Sequence, residues 1–349
     1  MSGAADPAPA EGLAALTLPA YDQALTTGNA TAVTSAVHTL LDTGINPVQV
    51  LTGVIAAGQR AVGIHWQRGE WTVAQEHAAT ALAVAATEVV TERVRGSVPI
   101  THGSVLVACA EREWHALPAM IISCALRAHG WDSTLLGAST TPMRLNRALQ
   151  DVGPEALAVS CSVLGSLPAG RHFIEAGTAA GVPVVVGGSA FGPDDLRARA
   201  LGATAWARDA QEAVTAVAGL PTVVPPAPRL PAAAAAEQAA LELDHQRLVA
   251  VLRRRWSLTA SGGAELKAAR EVADDALHQV LHAVWAVLLT GDPRPISETT
   301  IWVADVLHSR GAEGELVDEL GQVVATSLGD FPLARGLVER YFAGGQPIS

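Results

Sequence analysis

Three short apolar runs between residues 104 and 192 constrain the fold of this 349-residue chain more than any other feature. Val105-Leu106-Val107-Ala108-Cys109-Ala110 is followed by Glu111-Arg112-Glu113-Trp114-His115-Ala116-Leu117-Pro118, then by an Ala/Ile/Leu-rich run to Gly130. Leu157-Ala158-Val159-Ser160-Cys161-Ser162 ends in small hydroxyls, and Val182-Pro183-Val184-Val185-Val186-Gly187-Gly188 ends in a glycine pair. Runs this short, apolar and β-branched predict buried strands of a parallel sheet. The run after Pro118 is long enough for a helix, which Gly130 stops. Glu113-x-His115-x-x-Pro118 then falls in a loop at the carboxyl end of a strand, where open α/β sheets bind ligands.

The flanks are helical. From Leu13 to about Arg95, Asn29 or Thr31 can cap one helix and Asn46-Pro47 can open another. Leu51, Val54, Ile55 and Val62 repeat at helical spacing, and four or five helices suggest a small bundle. In Trp66-Gln67-Arg68-Gly69-Glu70-Trp71-Thr72-Val73-Ala74-Gln75-Glu76-His77, Gly69 breaks one helix and Thr72 can cap the next. Val73 and His77, four apart, share a face of that next helix. After the sheet region, Pro221 to Pro231 reads as a semi-rigid linker. From Ala232 the pattern is all helical. Leu241, His245, Leu248 and Leu252 share a face of a helix closed by Arg253-Arg254-Arg255-Trp256. His278, His282 and Trp285 recur at i, i+4, i+7 on a helix from about 265 to 289. Further helices are expected over 297–309, 313–327 and 331–342. The division expected is a mobile tail (1–11), a helical bundle (12–97), a Rossmann-like α/β domain (101–219), a Pro/Ala-rich linker (220–234) and an all-helical domain (235–349).

A net charge of −11 without a basic run argues against nucleic acid as a direct partner. The three cysteines, Cys109, Cys124 and Cys161, fall in apolar settings of the central domain, which suggests reduced thiols and a cytoplasmic protein. No signal peptide is expected, and no apolar run is long enough to span a bilayer.

The three strand ends together resemble the cobalamin-binding Rossmann-like (flavodoxin-like) domain. That family carries Asp or Glu-x-His-x-x-Gly, then Ser-x-Leu, then Gly-Gly; here the first motif ends in Pro118 where the family has glycine. The second is Ser162-x-Leu164, with Ser160 as the other candidate serine, and the third is Gly187-Gly188. The resemblance implies that His115 is the lower cobalt ligand, with Glu113 on its other nitrogen, and that the small residues at 160, 162, 187 and 188 make room for the displaced nucleotide tail. The plainer alternative is an ordinary flavodoxin-like domain with a loop histidine. Trp66-x9-Glu76-His77, with Val73 between, resembles the helical cap of the light-sensing cobalamin-dependent regulators. It implies a bundle over the upper face of adenosylcobalamin, with Trp66 against the adenosyl group. Two departures stand out: Gln67 replaces the histidine that follows the family's Trp, and no basic helix-turn-helix precedes the cap. The plainer alternative makes Trp66 and Trp71 core aromatics and Glu76-His77 a solvated helix start.

The third region admits two readings. One is a helical interaction or dimerisation domain. The other is a tetrapyrrole pocket lined by His245, His278, His282, Trp285 and Trp302, with Arg253 to Arg255 available to propionates. His278-x3-His282 also has metal-ligand spacing, but no third ligand is identifiable from sequence. The order of domains resembles the photocobilins, photoreceptors that bind cobalamin and a bilin together, with a globin-like helical domain last. The resemblance implies a photoreceptor, not an enzyme, that uses adenosylcobalamin and a non-covalently held bilin such as biliverdin. A downstream signalling partner would read its output, and homo-oligomerisation stays open. The alternative is a corrinoid carrier for methyl transfer with a helical interaction domain, which would share Glu113-x-His115 without needing a Trp lid.

Overall fold

The computed structural model describes residues 18–260 and 266–342; the expected tail over 1–11 lies outside them. Helical residues 18–26 and α1 (Ala30–Asp42) come first among the described residues. Asn29 caps α1 by accepting from the Ala32 N–H, and Asn46 accepts from the Val48 N–H ahead of Pro47. A helical path then runs through Pro47–Gln49 and a π-helical stretch, Val50–Ile55, into α2 (Ala56–Gln67). Thr72 starts α3 (Val73–Ser97) with a full capping box, Gln75 answering from the third helical position.

The central domain alternates strands and helices: β1 (Ser104–Cys109), α4 (Ala116–Ala128), β2 (Asp132–Gly137), α5 (Pro142–Val152), β3 (Ala156–Ser160), α6 (Leu167–Ala179), β4 (Val184–Gly187), α7 (Leu196–Ala200), β5 (Ala205–Ala207) and α8 (Ala210–Ala218). All strand pairs are parallel, in the order β2-β1-β3-β4-β5. Because β1 lies between β2 and β3, the chain crosses from one side of β1 to the other. The loops after β1 and β3 therefore open on the crevice where such sheets take ligands. Helix α4 begins two residues earlier than the sequence suggests, so Pro118 sits in its first turn, where the missing N–H costs nothing.

Alternation along the strands feeds two cores. Val105, Val107 and Cys109 of β1 face a layer shared with α4, α8 and the N-terminal helices. Leu106, Ala108 and Ala110 face a second layer with α5 and α6, which Ala286 and Leu289 of the C-terminal domain join. One face of the sheet thus carries the first domain and the other carries the third. Segment 221–231 has no regular structure but is tied down: Arg171 donates to Pro228 O (2.6 Å) and Leu201 O (2.7 Å).

The third domain contains α9 (Ala232–Leu243), α10 (His245–Arg255), α11 (Ser257–Ala260), α12 (Lys267–Glu271), α13 (Ala273–Thr290), α14 (Arg294–His308), α15 (Glu315–Ser327) and α16 (Pro332–Tyr341). The single helix expected from Ala232 to Arg255 is broken at Asp244, which makes His245 the first residue of a new helix. The helix expected from about 265 starts in earnest only at Ala273. A buried ion pair locks this domain to the sheet: Arg197 of α7 meets Asp292 at 2.7 Å, both side chains about 1% exposed. Glu298 adds a second carboxylate at 2.8 Å, and Arg294 binds Asp194 at 2.7 Å beside it.

Candidate cobalamin site

Glu113 is the organising side chain. It lies fully buried in the loop between β1 and α4, and its two oxygens face two directions. Oε1 accepts from the His115 N–H (2.9 Å) and from His115 Nδ1 (2.6 Å). Oε2 accepts from the backbone N–H of Ser162 and from that of Val163 at 3.0 Å. One carboxylate thus joins the loop after β1 to the loop after β3. Burial pushes its carboxyl up, but the hydrogen bonds from His115 and Ser162 and the charge of His115 outweigh that, and the net shift is downward. His115 is shifted up by its hydrogen bond to Glu113, against burial, with the charges of Glu113 and Glu76 adding to the rise.

An ionised carboxylate has no hydrogen to give, so Nδ1 of His115 donates and the neutral ring keeps its lone pair on Nε2. The ring remains 61% exposed at the mouth of the crevice. It can offer that nitrogen to a metal, with Glu113 fixing the tautomer and raising its basicity.

Behind the loops runs a cavity of about 430 Å³ between the ends of β3 and β4 and the helices α4 and α8. Ser160, Ser162, Gly187 and Gly188 all line it. Ser160 Oγ is buried there with no protein partner among the described residues, so a polar group of a ligand would find an unused hydroxyl. Ser162 is engaged on both backbone sides, giving its N–H to Glu113 and accepting from the Ser189 hydroxyl at 2.7 Å. The glycines have a reason beyond leaving room for a ligand. A Cβ on Gly187 would stand 2.7 Å from Ala207 O, and one on Gly188, whose φ is +101°, 2.3 Å from Cys161 O. The protein's own backbone requires them bare. Leu164 packs inward between the sheet and the third domain.

The N-terminal helices contribute residues the sequence does not mark: Thr52, Ala56, Gln59 and Arg60 line the cavity. Thr52 lies in the π-helical stretch, a distortion with no signature in sequence. Gln59 donates to Thr80 (2.7 Å), which donates to Glu76 (3.0 Å), so the cavity wall is wired to the start of α3. Val73, Glu76 and His77 occupy the first two turns of α3; His77 Nδ1 lies 2.8 Å from both Val73 O and Glu76. Trp66 is turned to the third domain. Its ring stacks on Trp302 (6.2 Å between centroids, 21° between planes), with the Arg310 guanidinium 5.3 Å from its centre. Arg310 also donates to Trp66 O (2.9 Å) and Gln67 O (3.1 Å).

Residues 103–218 match the family described as B12 binding domain, and residues 20–91 match a second B12 binding domain family. This is a cobalamin-binding protein. Among solved structures, the cobalamin-binding chain is similar in fold to a monomethylamine corrinoid protein of Methanosarcina barkeri. That likeness has 19% identity and a TM-score of 0.51, and covers 58% of this chain and 96% of the other. A cobalamin-binding protein from Desulfitobacterium hafniense is 20% identical over 57% of this chain and 95% of its own, with a TM-score of 0.31. No curated protein matches the cobalamin-binding chain in sequence. No helix among its described residues is long and apolar enough to cross a membrane.

In the third domain, His245, His278 and His282 come together with Trp285. Trp285 lies 4.9 Å from His245 and 4.8 Å from His282, ring centre to ring centre. The arginines expected to serve anionic ligands are otherwise occupied or outside. Arg253 forms a two-bond pair with Asp274 (2.9 and 2.8 Å), Arg255 donates to Ser327 (3.3 Å), and Arg254 is exposed.

Proposed function

We propose that the protein is a corrinoid carrier. It would hold cobalamin with His115 as a cobalt ligand and present it to a partner that gives or takes a methyl group. In this reading the chain is not itself an enzyme, because the chemistry is completed in the partner's site. Cobalamin, when bound, supplies a cobalt atom that takes up and releases an alkyl group. The chain's residues would hold it: His115 through Nε2, Glu113 by fixing that ring, and Ser160 with Gly187 and Gly188 along the cavity for the nucleotide tail. The observation that carries the reading is the pairing of an oriented, exposed His115 with a Trp66 held against Trp302 instead of standing as a lid. The likeness to the monomethylamine corrinoid protein is one of fold.

Two measurements test it. His115→Ala should lose the absorption spectrum of cobalamin bound without its own base on cobalt; a spectrum like that of the parent protein would reject the ligand. The parent should bind methylcobalamin and adenosylcobalamin within roughly tenfold of each other. Stacking on a base is worth ~1–3 kcal/mol, so a Trp66 lid would instead favour the adenosyl form by about ten- to a hundredfold.

A second reading, a light sensor using adenosylcobalamin, is favoured by one observation. Trp66 and Gln67 tie the cap directly to the third domain, so a cap displaced by light would pull on that domain. A bilin such as biliverdin would then sit at His245, His278, His282 and Trp285, bound without a covalent link because no cysteine follows Cys161. A downstream signalling protein would receive the output. Green light that changes the size or stability of the adenosylcobalamin-loaded chain would favour this reading over the carrier.

A further inference from the structure

The sequence supplies two histidines one helical turn apart, and folding delivers a third. His278 and His282 stand on one face of α13, and the break at Asp244 brings His245 from α10 against them. One ring nitrogen from each of the three lies within 4.8 Å of the other two. His245 Nε2 is 2.7 Å from His278 Nδ1, and the rings of His245 and His282 stack at 4.9 Å with 9° between their planes.

The neighbourhood is unlike that of the other paired histidines. His65, His77 and His115 each have a carboxylate partner. Among the described residues His245, His278 and His282 have none, and they touch one another instead. The Nδ1 atoms of His245 and His282 are buried with no hydrogen-bond partner, and His245 is only 8% exposed. Burial first, then the neighbouring histidines and Arg112, push His245 down to about 4, against the charge of Glu242, and His282 down to about 3. Neutral imidazole is the state that binds metals, and the downward shifts of His245 and His282 favour it there.

We propose that His245, His278 and His282 bind a divalent transition-metal ion of the zinc class, separate from the cobalt of the corrinoid. Three nitrogen donors without a carboxylate suit zinc, nickel or cobalt(II) and not magnesium or calcium. Three protein ligands leave a fourth position for water or an added ligand. Zinc–nitrogen bonds of ~2.0–2.1 Å put tetrahedral nitrogens about 3.4 Å apart. The His245–His278 contact would open slightly and the widest separation would close, both by side-chain rotation. The site adjoins the cobalamin loops: the His282 ring lies 2.6–2.9 Å from where a Cβ on Gly165 would stand, and Val163, two residues earlier, donates to Glu113.

The test uses the full chain without a histidine tag, freed of metal by chelator and of cobalamin, titrated with zinc and separately with cobalt(II). One equivalent of zinc should bind and raise the melting temperature. One equivalent of cobalt(II) should show the visible bands of tetrahedral nitrogen coordination. His278→Gln and His282→Gln, verified as folded by circular dichroism, should each weaken zinc binding by at least the ~10–100-fold that losing a group supporting a metal ligand costs, while exposed His38→Ala should not. Zinc binding unchanged in the 278/282 double variant would overturn the proposal, as would absence of any one-equivalent binding. It would equally be overturned if the three histidines took up biliverdin and zinc neither bound nor competed.

Discussion

The molecule contains two histidine sites built on opposite electrostatic plans. At His115 a single ring is paired with a buried carboxylate, kept 61% exposed and shifted up. In the third domain three rings are packed on one another without a carboxylate, and two of them are shifted down. The same side chain is thus prepared for different uses by what stands beside its second nitrogen. Glu113 orients a lone ligand, whereas burial and neighbouring positive charge disfavour the protonated forms of His245 and His282. The sites are also neighbours, since Arg112 stands beside Glu113 in the chain and lies close enough to depress both His245 and His282.

The largest break in this contrast should come from Glu113→Ala. It strips His115 of its partner and leaves the N–H groups of Ser162 and Val163 unpaired in the interior. An unmet buried group costs ~1–3 kcal/mol, so urea unfolding should show a loss of about 2–6 kcal/mol. A loss under about 1 kcal/mol would mean the loops hold together by other means. Gly165→Ala should come next. Its new Cβ falls within 3 Å of three atoms of the His282 ring, and overpacking costs ~1–3 kcal/mol. The damage should appear in the third domain, with spectra of bound cobalamin nearly unchanged; equal damage at both sites would show that they act as one.

Acid and base should separate the two plans. His245 and His282 have folded values below the ordinary histidine value of about 6.5. Their contribution is full above about pH 6.5 and falls as pH drops toward about 4 and below, because the unfolded chain takes up the protons first. His115, shifted up, behaves in reverse: its pairing contributes below about 6.5 and is lost as pH rises through its folded value. Denaturant melts followed by tryptophan emission should therefore find the third domain weakening from pH 7 to pH 5. Stability of that domain that rises over this interval would contradict the buried, neutral cluster. The smallest effect belongs to Arg112→Ala. It removes the exposed 2.7 Å pair with Glu242, a contact class worth ~0.2–1 kcal/mol. It should also move the acid transition of the cluster to slightly higher pH, and no movement would remove Arg112 from the account of that cluster.

Local chemistry made much of this legible in the residues alone. Three buried strands, the loop holding Glu113 and His115, the capping of α3 by Thr72 and the start at Asn46-Pro47 follow from periodicity, capping and proline geometry, which act within a few residues. The matched B12-binding families fall on that same stretch and on the helices before it. Tertiary structure decided what depends on distant partners. Glu113 reaches residues 162 and 163, Trp66 finds Trp302, Arg197 finds Asp292, and a break at Asp244, in a run without glycine or proline, turns His245 onto His278. No window of sequence contains such a pair, because its members are 33 to 236 residues apart and meet only after the layers have packed. That is why the sequence offered two histidines at metal spacing and no third. Spacing along one helix is a local property, whereas the completion of a ligand set is a property of the packed core.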